Sequence, residues 1–448
     1  MAGTQRWKRT FYERIAGEIS AMTRYYDAVI QFDPPPSDSG YLLECIDAPQ
    51  KSISDSIDLR SEHERRTAVL LNGNLNRELN IQDLLMRIRA GMARSSRVVV
   101  VSYNPYLALL YRLTTWLGLR AAEPNMTFVT LTDLRNLARL AGLEIVRVRP
   151  CVAFPWRMLG LGSALNALLS ILPFFGWRAL VHVITLRAVG VDGQRPPLSV
   201  VIPARNERGN IEEALRRMPD LRTRIEVIFV EGGSSDGTWE EIQRVAAAWR
   251  DRFAIKTLQQ TGRGKNDAVR MGFASATGDL LTILDADLSM PPELLVQFYE
   301  AWVRGLADFI NGSRLVYPME GKAMRFLNRI GNVFFAKALS YVLDTAIGDS
   351  LCGTKLFARH DYARMTSWRR DFGEFDPFGD FELLFPAAVL SLGVIDVPVR
   401  YRARSYGSTN INRFRDGSVL LKMTLLGWWR IKSAARSRRR SRGDPSHR

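Results

Sequence analysis

Two aspartates, Asp285 and Asp287, carry the clearest chemical signal in this sequence. They follow residues 280–284 (LLTIL), a short apolar run that is typical of a buried strand. Residues i and i+2 of an extended chain point the same way, so both carboxylates would project together from the end of the strand. Like charges held that close repel each other unless a cation lies between them or one takes a proton. We therefore expect a hard divalent ion, Mg²⁺ or Mn²⁺, that also carries a diphosphate. The alternative is a strand end with two solvated acids.

A glycine-flanked lysine is the second candidate. Lys265 lies in residues 263–267 (RGKND), directly before a predicted helix at 268–275. Its ammonium group could neutralise negative charge on the same diphosphate. A solvated surface lysine is the alternative, but a position in a turn, two residues before Asp267, favours ligand binding.

Several basic residues occur at strand or loop ends further along the chain. These are Arg314, Lys355, Arg400, Arg402 and Arg404. Arginine forks hold phosphate well, so we interpret the set as a second phosphate-binding side. Alternate arginines in 397–404 could instead face solvent, Arg402 above all. Asp349 is expected to orient the loop that contains Cys352, and we expect this cysteine to be buried rather than reactive.

The elements that must position these residues form a regular alternation. Apolar runs at 198–202, 225–230 and 280–284 predict strands, with helices between them. Each polar cluster follows a strand, which is where open α/β sheets bind their ligands. This agreement between spacing and position favours the metal interpretation of the aspartate pair.

The same segments resemble the family 2 glycosyltransferases, inverting enzymes with the nucleotide-diphosphosugar transferase (GT-A, Rossmann-like) α/β fold. The resemblance covers residues 198 to about 423 and is carried by VIPARNE, VEGGSSDGT, GRGKNDAVRMGF, TGDLLTILDADLSMPPE, NGSR, DSLCGTKLF and FGDFELLFPAA. Within the family, DADLS, the G-x-R after the next strand and the D-x-x-C-G-x-K run are most similar to the dolichol- and polyprenyl-phosphate sugar synthases.

In such a transferase the basic residues named above, with Asp349, are interpreted as the acceptor-binding set. The resemblance also assigns a donor-binding set that spans several of these clusters. It comprises Pro203, Arg205, Glu207, Glu231, Lys265, Asp267, Asp285, Ala286 and Asp287. The first three line the nucleotide pocket, the aspartate pair binds metal and diphosphate, and the alanine between them lies near the ribose. The family usually has two aspartates where this chain has Glu231 and Gly232, so the preferred nucleotide stays open.

Asp380 matches the position where many family members carry the catalytic base, and with Lys265 it forms the predicted catalytic set. As a base it would take a proton from a sugar hydroxyl acceptor. A phosphate acceptor needs no base, because the second pKa of a phosphate monoester is about 6 and the group arrives ionised. Asp380 could then position a basic residue, or simply begin a helix.

Length and composition predict a folded chain of two domains with an anionic partner. The chain has 448 residues, of which 46% are hydrophobic and 24% charged. Its net charge of +16 and pI near 10.1 suit a membrane surface, a nucleotide or nucleic acid. No aromatic-interleaved basic surface is evident, so we do not expect nucleic acid binding. Three separated cysteines and the lack of a signal peptide favour a reducing compartment and the cytoplasmic face.

The first domain, residues 1–190, is predicted to be irregular up to about residue 66. Strands at 67–71, 97–102, 143–148 and 180–186 then alternate with helices at 81–92 and 131–141, the second with Thr132 as its N-cap. AVLLNGNLNRELNIQDLLMRIRAGMARSSRVVVVSYN and MTFVTLTDLRNLARLAGLEIVRVRP resemble the C-terminal half of a class I S-adenosylmethionine-dependent methyltransferase. The glycine-rich turn of that family is absent before Thr67. We expect a partial, methyltransferase-like α/β domain with a parallel-type sheet and no cofactor, which is structural or docks a partner.

The remaining segments complete the predicted organisation. Residues 191–197 form a linker, 198–415 the glycosyltransferase domain, and 416–448 an amphipathic interfacial helix with a basic tail. The tail has six basic residues and no acid within 432–442, which is typical of binding to an anionic leaflet. A core helix followed by a disordered tail is the alternative. Residues 158–177 carry no charge and could lie in the membrane interface, re-enter or span the bilayer, or belong to a core.

The leading hypothesis is an inverting, metal-dependent hexosyl transferase, peripheral at the cytoplasmic face of the membrane. It would move a sugar from a nucleotide-diphosphosugar to a polyprenyl phosphate or a lipid-linked glycan. One alternative is transfer to a sugar hydroxyl of a polysaccharide. Another is a non-catalytic scaffold of two degenerate enzyme domains. The intact aspartate pair argues against a scaffold, whereas Glu231-Gly232 and the partial first domain argue for it.

Overall fold

The computed structural model of the protein describes residues 2–33, 41–116, 127–151, 179–190, 193–317, 326–373, 376, 379–402 and 413–432. The chain divides into two compact units. The first comprises Met1–Gly190, Val389–Ser391 and Gly427–Arg448, and the second comprises Val191–Ala388 and Leu392–Leu426. The uncharged segment 158–177 falls outside the described residues. Among the residues that are described, no helix combines the length and the hydropathy that a membrane crossing requires.

The first unit is built on a six-stranded sheet with the order β2-β1-β3-β4-β6-β5. Its elements are α1 (Ala2–Thr23), β1 (Ala28–Phe32), α2 (Tyr41–Cys45), β2 (Gln50–Ser54), β3 (Thr67–Asn72), α3 (Asn74–Arg77), α4 (Ile81–Ala90), β4 (Arg97–Tyr103), α5 (Ala108–Trp116), α6 (Leu131–Leu140), β5 (Leu143–Cys151) and β6 (Val181–Ala188). Strands β3 and β4 are buried along their whole length, as in sheets that are covered on both faces. β6 runs antiparallel to β4 and β5, so the sheet is mixed and not of the parallel type that the sequence predicts.

The opening of the chain is more regular than the sequence predicts. Helix α1 spans 22 residues, and β1 and β2 extend the sheet in parallel beyond β3. β2 escapes prediction because its residues are mostly polar and exposed, as on a sheet edge, so no hydrophobic pattern marks it.

The N-cap of α6 is Thr130 and not Thr132. The Thr130 hydroxyl accepts a hydrogen bond from Asp133 N at 3.1 Å, and the Asp133 carboxylate accepts one from Thr130 N at 3.3 Å. This reciprocal capping box satisfies open N–H groups at the start of the helix.

The second unit contains a seven-stranded sheet with the order β13-β11-β12-β10-β7-β8-β9. Its elements and those that follow are β7 (Leu198–Ala204), α7 (Ile211–Arg216), β8 (Ile225–Glu231), α8 (Thr238–Trp249), β9 (Ala254–Gln259), α9 (Lys265–Ser275), β10 (Leu280–Ile283), α10 (Leu295–Val303), β11 (Phe309–Ser313), α11 (Phe326–Leu343), β12 (Lys355–Ala358), α12 (Arg359–Phe372), α13 (Phe381–Val389), β13 (Val394–Pro398) and α14 (Arg413–Gly427), which continues as a π-helix at Trp428–Lys432. Only β12 is antiparallel to its neighbours, β10 and β11.

The strand order creates a switch point beside β7. β8 and β9 lie on one side of β7, whereas β10 lies on its other side. Open α/β sheets bind ligands outside the carboxyl ends of the strands at such a point. Helix α9 packs closely on β7, because a Cβ on Gly272 would lie only 2.4 Å from Val201 Cγ1. This close approach fixes the position of α9 and of Lys265 at its start.

Candidate active site

The aspartate pair lies at the switch point, in the turn that follows β10. The chain turns sharply there, since Leu288 has a φ of 52° and its N–H donates to Asp285 O at 3.1 Å. The Asp287 carboxylate accepts hydrogen bonds from Ser289 N at 3.0 Å and from Ser289 Oγ at 2.6 Å. Both carboxylates are therefore carried by a short, hydrogen-bonded turn.

Lys265, the first residue of α9, forms an ion pair with Asp285. Gly264 before it has a φ of 86°, a conformation that glycine adopts without strain. Gly353 packs against the same pair, and a Cβ there would lie 2.5 Å from Lys265 Nζ and 2.7 Å from Asp285 Oδ2. The loop that carries Gly353 can approach the ion pair because this residue has no side chain.

The charges of the cluster set the protonation of its members. Desolvation by the surrounding groups lowers the pKa of Lys265, although its side chain is partly exposed. The carboxylates of Asp285, Asp380 and Asp287 outweigh desolvation and leave this pKa above its usual value. Burial raises the pKa of Asp285, but the ammonium group of Lys265 holds it below its usual value. At neutral pH the lysine is an ammonium ion and Asp285 is a carboxylate.

A second ion pair joins Lys355, on β12, to Asp380, directly before α13. The distance from Lys355 Nζ to Asp380 Oδ1 is 2.5 Å, and the Lys355 side chain is fully buried. The same Nζ donates to Cys352 O. Asp380 therefore neutralises a charge that has no access to water.

Asp376 holds the turn that carries Asp380. Its carboxylate accepts hydrogen bonds from Phe381 N at 2.7 Å and Glu382 N at 3.1 Å, which satisfies open N–H groups at the start of α13. Asn266 Nδ2 donates to Asp376 O at 2.9 Å and ties this turn to the start of α9. Sequence reasoning misses Asp376, because it lies five residues before Phe381, outside the ordinary capping position.

Arg314 and Asp349 form a third, bidentate pair. Arg314 Nε donates to Oδ2 at 2.7 Å and Nη2 donates to Oδ1 at 2.9 Å. Asp349 is fully buried, and it also accepts a hydrogen bond from Leu351 N at 2.9 Å. Burial raises the pKa of Asp349, but Arg314 outweighs burial and holds it below its usual value. The carboxylate therefore orients both the guanidinium group and the loop that begins at Asp349.

Cys352 lies in that loop and is buried. Burial raises the pKa of its thiol to about 11. Because the thiolate is the form that attacks electrophiles and binds metals, Cys352 is unreactive at neutral pH while it stays buried.

Three of the acids predicted to bind the donor also hold the loops around them. Glu231 is buried, and Glu207 and Asp267 are partly exposed. Each accepts a hydrogen bond from its own neighbourhood: Glu207 from Asn210 Nδ2 at 2.7 Å, Glu231 from Ser234 N at 2.5 Å and Asp267 from Gln260 Nε2 at 2.9 Å. These carboxylates shape the loops that follow β7, β8 and β9.

The other predicted site residues follow the same strands. Pro203 and Arg205 lie at the end of β7, Ala286 is buried between the aspartates, and Arg400 is exposed after β13. Arg404 falls outside the described residues.

Two residues near this site carry roles that the sequence does not indicate. Arg402 N donates to Ser289 O at 2.9 Å, so its backbone lies beside the aspartate turn. Asp396, on β13, accepts hydrogen bonds from Asn311 Nδ2 and Gly348 N, both at 2.6 Å. Burial raises the pKa of Asp396. In the sequence Asp396 is one polar residue in a strand-like run, so no pattern distinguishes it.

The aspartate turn suits a divalent ion that takes some of its ligands from the protein and the others from a substrate. Two carboxylates one residue apart supply the hard oxygen atoms that Mg²⁺ and Mn²⁺ bind. Within the described ranges, no group of three or more His, Cys, Asp or Glu side chains is arranged to hold a metal. An ion on Asp285 and Asp287 would take its other ligands from a diphosphate and water, as Mg²⁺ commonly does in nucleotide sites.

Residues 199–365 match the family model described as glycosyl transferase family 2. The match lies within the second unit, and the nucleotide-diphosphosugar transferase (GT-A) fold predicted from the sequence is confirmed for this unit. The match includes Lys265, the aspartate pair and Lys355, and it ends before Asp380.

The curated relatives are sugar transferases whose names include a polyprenyl phosphate. The chain is 36% identical over 122 residues to a dolichol-phosphate mannosyltransferase from Pyrococcus furiosus, covering 27% of this chain and 33% of that protein. It is 38% identical over 167 residues to an undecaprenyl-phosphate 4-deoxy-4-formamido-L-arabinose transferase from Aeromonas hydrophila, covering 36% and 49%. A dolichyl-phosphate hexose transferase from Haloferax volcanii is 27% identical over 228 residues, covering 50% and 91%. The chain thus spans half or less of the first two of these relatives.

Solved structures also match. Glucosyl-3-phosphoglycerate synthase from Mycobacterium tuberculosis, in complex with Mn²⁺, UDP-glucose and phosphoglyceric acid, is 19% identical, with a TM-score of 0.37 over 52% of this chain and 79% of that one. A mannosyltransferase from Pyrobaculum calidifontis, in complex with GDP-Man and Mn²⁺, is 19% identical, with a TM-score of 0.34 over 55% and 75%.

Proposed function

We propose that this protein is an inverting glycosyltransferase that moves a sugar from a nucleotide-diphosphosugar to a polyprenyl phosphate or a lipid-linked glycan. The observation that carries the proposal is the Lys265–Asp285 ion pair beside Asp287 at the switch point of the sheet. Carboxylates for a divalent ion and an ammonium group for a diphosphate meet there, as the departure of a nucleoside diphosphate requires. The family 2 domain and the names of the relatives support the same class.

On the donor side, Asp285 and Asp287 would hold Mg²⁺ or Mn²⁺, which neutralises the diphosphate as it leaves. Lys265 stays protonated because its pKa lies above the usual value, so it brings a further positive charge to the same place. Its side chain is 40% exposed, which leaves it room to move from the carboxylate to a phosphate oxygen. Arg205, at the end of β7, is exposed and available to the nucleotide.

On the acceptor side, the arrangement favours a phosphate. Asp349 holds Arg314 through Nε and Nη2, and the outer Nη1–Nη2 edge of a guanidinium group held in this way suits phosphate oxygens. An ionised phosphate oxygen attacks the anomeric carbon, and the bond from that carbon to the nucleoside diphosphate breaks on the opposite side. No proton has to be removed, because the second pKa of a phosphate monoester is about 6. Asp380 is engaged by Lys355 at 2.5 Å, so we assign it a positioning role and not that of a base.

For the first unit we propose that it binds no S-adenosylmethionine. The sequence after β1 (Ala28–Phe32) is DPPP at residues 33–36, and a proline has no backbone N–H to offer a ligand. Titration calorimetry on the full chain should show no heat with S-adenosylmethionine. Binding in the micromolar range would overturn this proposal.

We further propose that residues 416–448 bind the cytoplasmic face of the membrane peripherally. Leu421, Leu425 and Trp429 are exposed in the described part of this segment. Six basic residues follow within 432–442, and tryptophan next to a basic run suits the headgroup region of an anionic leaflet.

The test of the proposed activity is metal-dependent nucleotide binding. Thermal shifts are measured with a panel of nucleoside diphosphates, with and without Mn²⁺, followed by transfer to a short polyprenyl phosphate. Asp287→Asn should abolish the metal-dependent shift and the transfer while the melting temperature without ligand stays near wild type, because an amide oxygen can still accept from Ser289. The matched control is Asp279→Asn at the other end of β10, an exposed acid with a loose 3.8 Å contact to Arg359, and it should behave as wild type. Full turnover by Asp287→Asn across a metal titration would refute the proposal.

A further inference from the structure

Helix α5 of the first unit exposes a row of large apolar side chains. Leu109, Leu113 and Trp116 are 79%, 50% and 80% exposed, and Tyr106, just before the helix, is 78% exposed. The spacing of the first three, i, i+4 and i+7, places them on one side of the helix. We call these four residues, with the 45% exposed Leu110, the α5 row.

The opposite side of α5 is held firmly by the protein. Tyr111 stacks on Phe128 with ring centroids 5.7 Å apart, meets Tyr103 edge-on at 5.6 Å, and donates its hydroxyl to Leu180 O at 2.5 Å. Asn104 caps the segment by accepting a hydrogen bond from Tyr106 N at 3.0 Å. The row is therefore presented in a fixed direction by a packed helix.

The charged residues that neighbour the row along the chain are all of one sign. Between Asp83 and Glu123 the sequence has no acid, and the basic residues after β4 in this stretch are Arg112 and Arg120. Arg112 is exposed on α5 itself. A symmetric contact with a second copy would bring like charges together with no nearby acid in this stretch to pair them. An anionic lipid headgroup would pair them, while leucines enter the acyl region and Trp and Tyr suit the boundary.

We infer that the α5 row is a membrane-insertion surface, by which the first unit lies in the interface of an anionic bilayer. The inference rests on the proposed function in one respect, since a polyprenyl-linked acceptor would be reached at a bilayer. It assigns the first unit a role that needs no cofactor. It also adds an apolar contact separate from the basic tail at 432–442.

The test is vesicle binding by the full chain. No donor or acceptor is present, so the binding result can be interpreted even if the proposed transferase activity is wrong. Phosphatidylcholine–phosphatidylglycerol vesicles are used in about 0.5 M NaCl, where attraction by the basic tail is screened within a few ångströms. Leu109→Gln/Leu113→Gln should lower the partition coefficient on the order of a hundredfold, since two leucines no longer leave water. The matched control, Leu79→Gln/Leu140→Gln, changes two exposed leucines outside the row and should stay within about twofold of wild type.

A second readout is tryptophan fluorescence quenching, in which the difference between wild type and Trp116→Phe reports on Trp116. Lipids brominated in the acyl chains quench tryptophans that enter the bilayer, and Trp116→Phe, which keeps the row apolar, should reduce this quenching relative to wild type. Unchanged partition of the double variant, or unchanged quenching in Trp116→Phe, would overturn the inference. So would a wild-type chain that does not bind in high salt. A double variant that turns a dimer into a monomer in sedimentation, with vesicle binding intact, would assign the row to a second copy instead.

Discussion

Replacing Asp380 by asparagine tests the most unusual electrostatic arrangement of the site. Lys355 has a fully buried side chain, and Asp380, at 2.5 Å and 15% exposed, is the carboxylate that neutralises it. Asp380→Asn keeps the size and a hydrogen-bond acceptor but leaves the ammonium group without a counter-charge. Breaking a buried pair in this way costs about 3 to 5 kcal/mol, and we expect the lower end, about 3 kcal/mol, because water reaches Asp380.

The same variant distinguishes a positioning residue from a base. If Asp380 positions Lys355, the defect should lie mainly in the KM of the acceptor. The acidic limb of the pH–rate profile should then persist near the phosphate pKa of about 6. If Asp380 is a base for a hydroxyl acceptor, kcat should fall by about 10² to 10⁴ and the acidic limb should vanish.

The measurements are urea unfolding and kcat and KM against pH, for wild type and Asp380→Asn. Lys355→Met in the Asp380→Asn background is the internal control. Removing the stranded charge should return at least about 1 kcal/mol of stability. A variant as stable as wild type, or a loss confined to kcat with the acidic limb gone, would contradict a positioning role of Asp380 for Lys355.

Three further results are expected. Gly353→Ala should weaken nucleoside diphosphate binding about tenfold or more in thermal-shift titrations, because the added Cβ would lie 2.5 Å from Lys265 Nζ. The control Gly417→Ala should bind normally, because a Cβ at Gly417 would meet no atom of the described residues within 4 Å beyond its own stretch of helix. Burial raises the pKa of Glu226, but its hydrogen bonds, led by that from Lys256, lower it to about 2 from 4.5. The stability it contributes, about 3 kcal/mol, should therefore be lost as pH falls from about 4.5 to about 2, and Glu226→Gln should flatten this part of the unfolding profile. Deleting residues 433–448 should reduce binding to anionic vesicles at low salt and leave binding to neutral vesicles unchanged; equal loss on both would contradict an electrostatic tail.

The positions of the residues that we propose for the donor could be predicted because their signals are local. An apolar run that stops at two acids marks the end of a strand, and the order of strands and helices brings such ends to one edge of the sheet. Lys265 follows from the glycine before it, which ends one segment and allows the next helix to begin. These inferences need only neighbours along the chain.

The residues that we propose for the acceptor depend on contacts that no local pattern contains. Asp380 lies 25 residues after Lys355, and the antiparallel insertion of β12 between β10 and β11 is what places the lysine within reach. Asp376 caps a helix from outside the usual position, and Asp396 becomes notable only once Asn311 and Gly348 are packed against it. In the first unit, β2 is missed for a different reason, since an exposed polar edge strand has no hydrophobic period to detect.

The buried thiol of Cys352 can report how often the loop that contains it opens. With a pKa of about 11 and no exposure to water, it reacts with alkylating reagents only while its loop is open. Its labelling rate therefore measures how often the 349–355 loop leaves the ion pair of Lys265 and Asp285. Cys151 is buried in the first unit, which contains none of the loop or ion-pair residues. Its labelling rate therefore measures opening of the first unit and serves as a control. A donor that rigidifies the site should slow the labelling of Cys352 and leave the labelling of Cys151 unchanged. Two cysteines without a chemical role can therefore show which unit is stabilised by ligand binding.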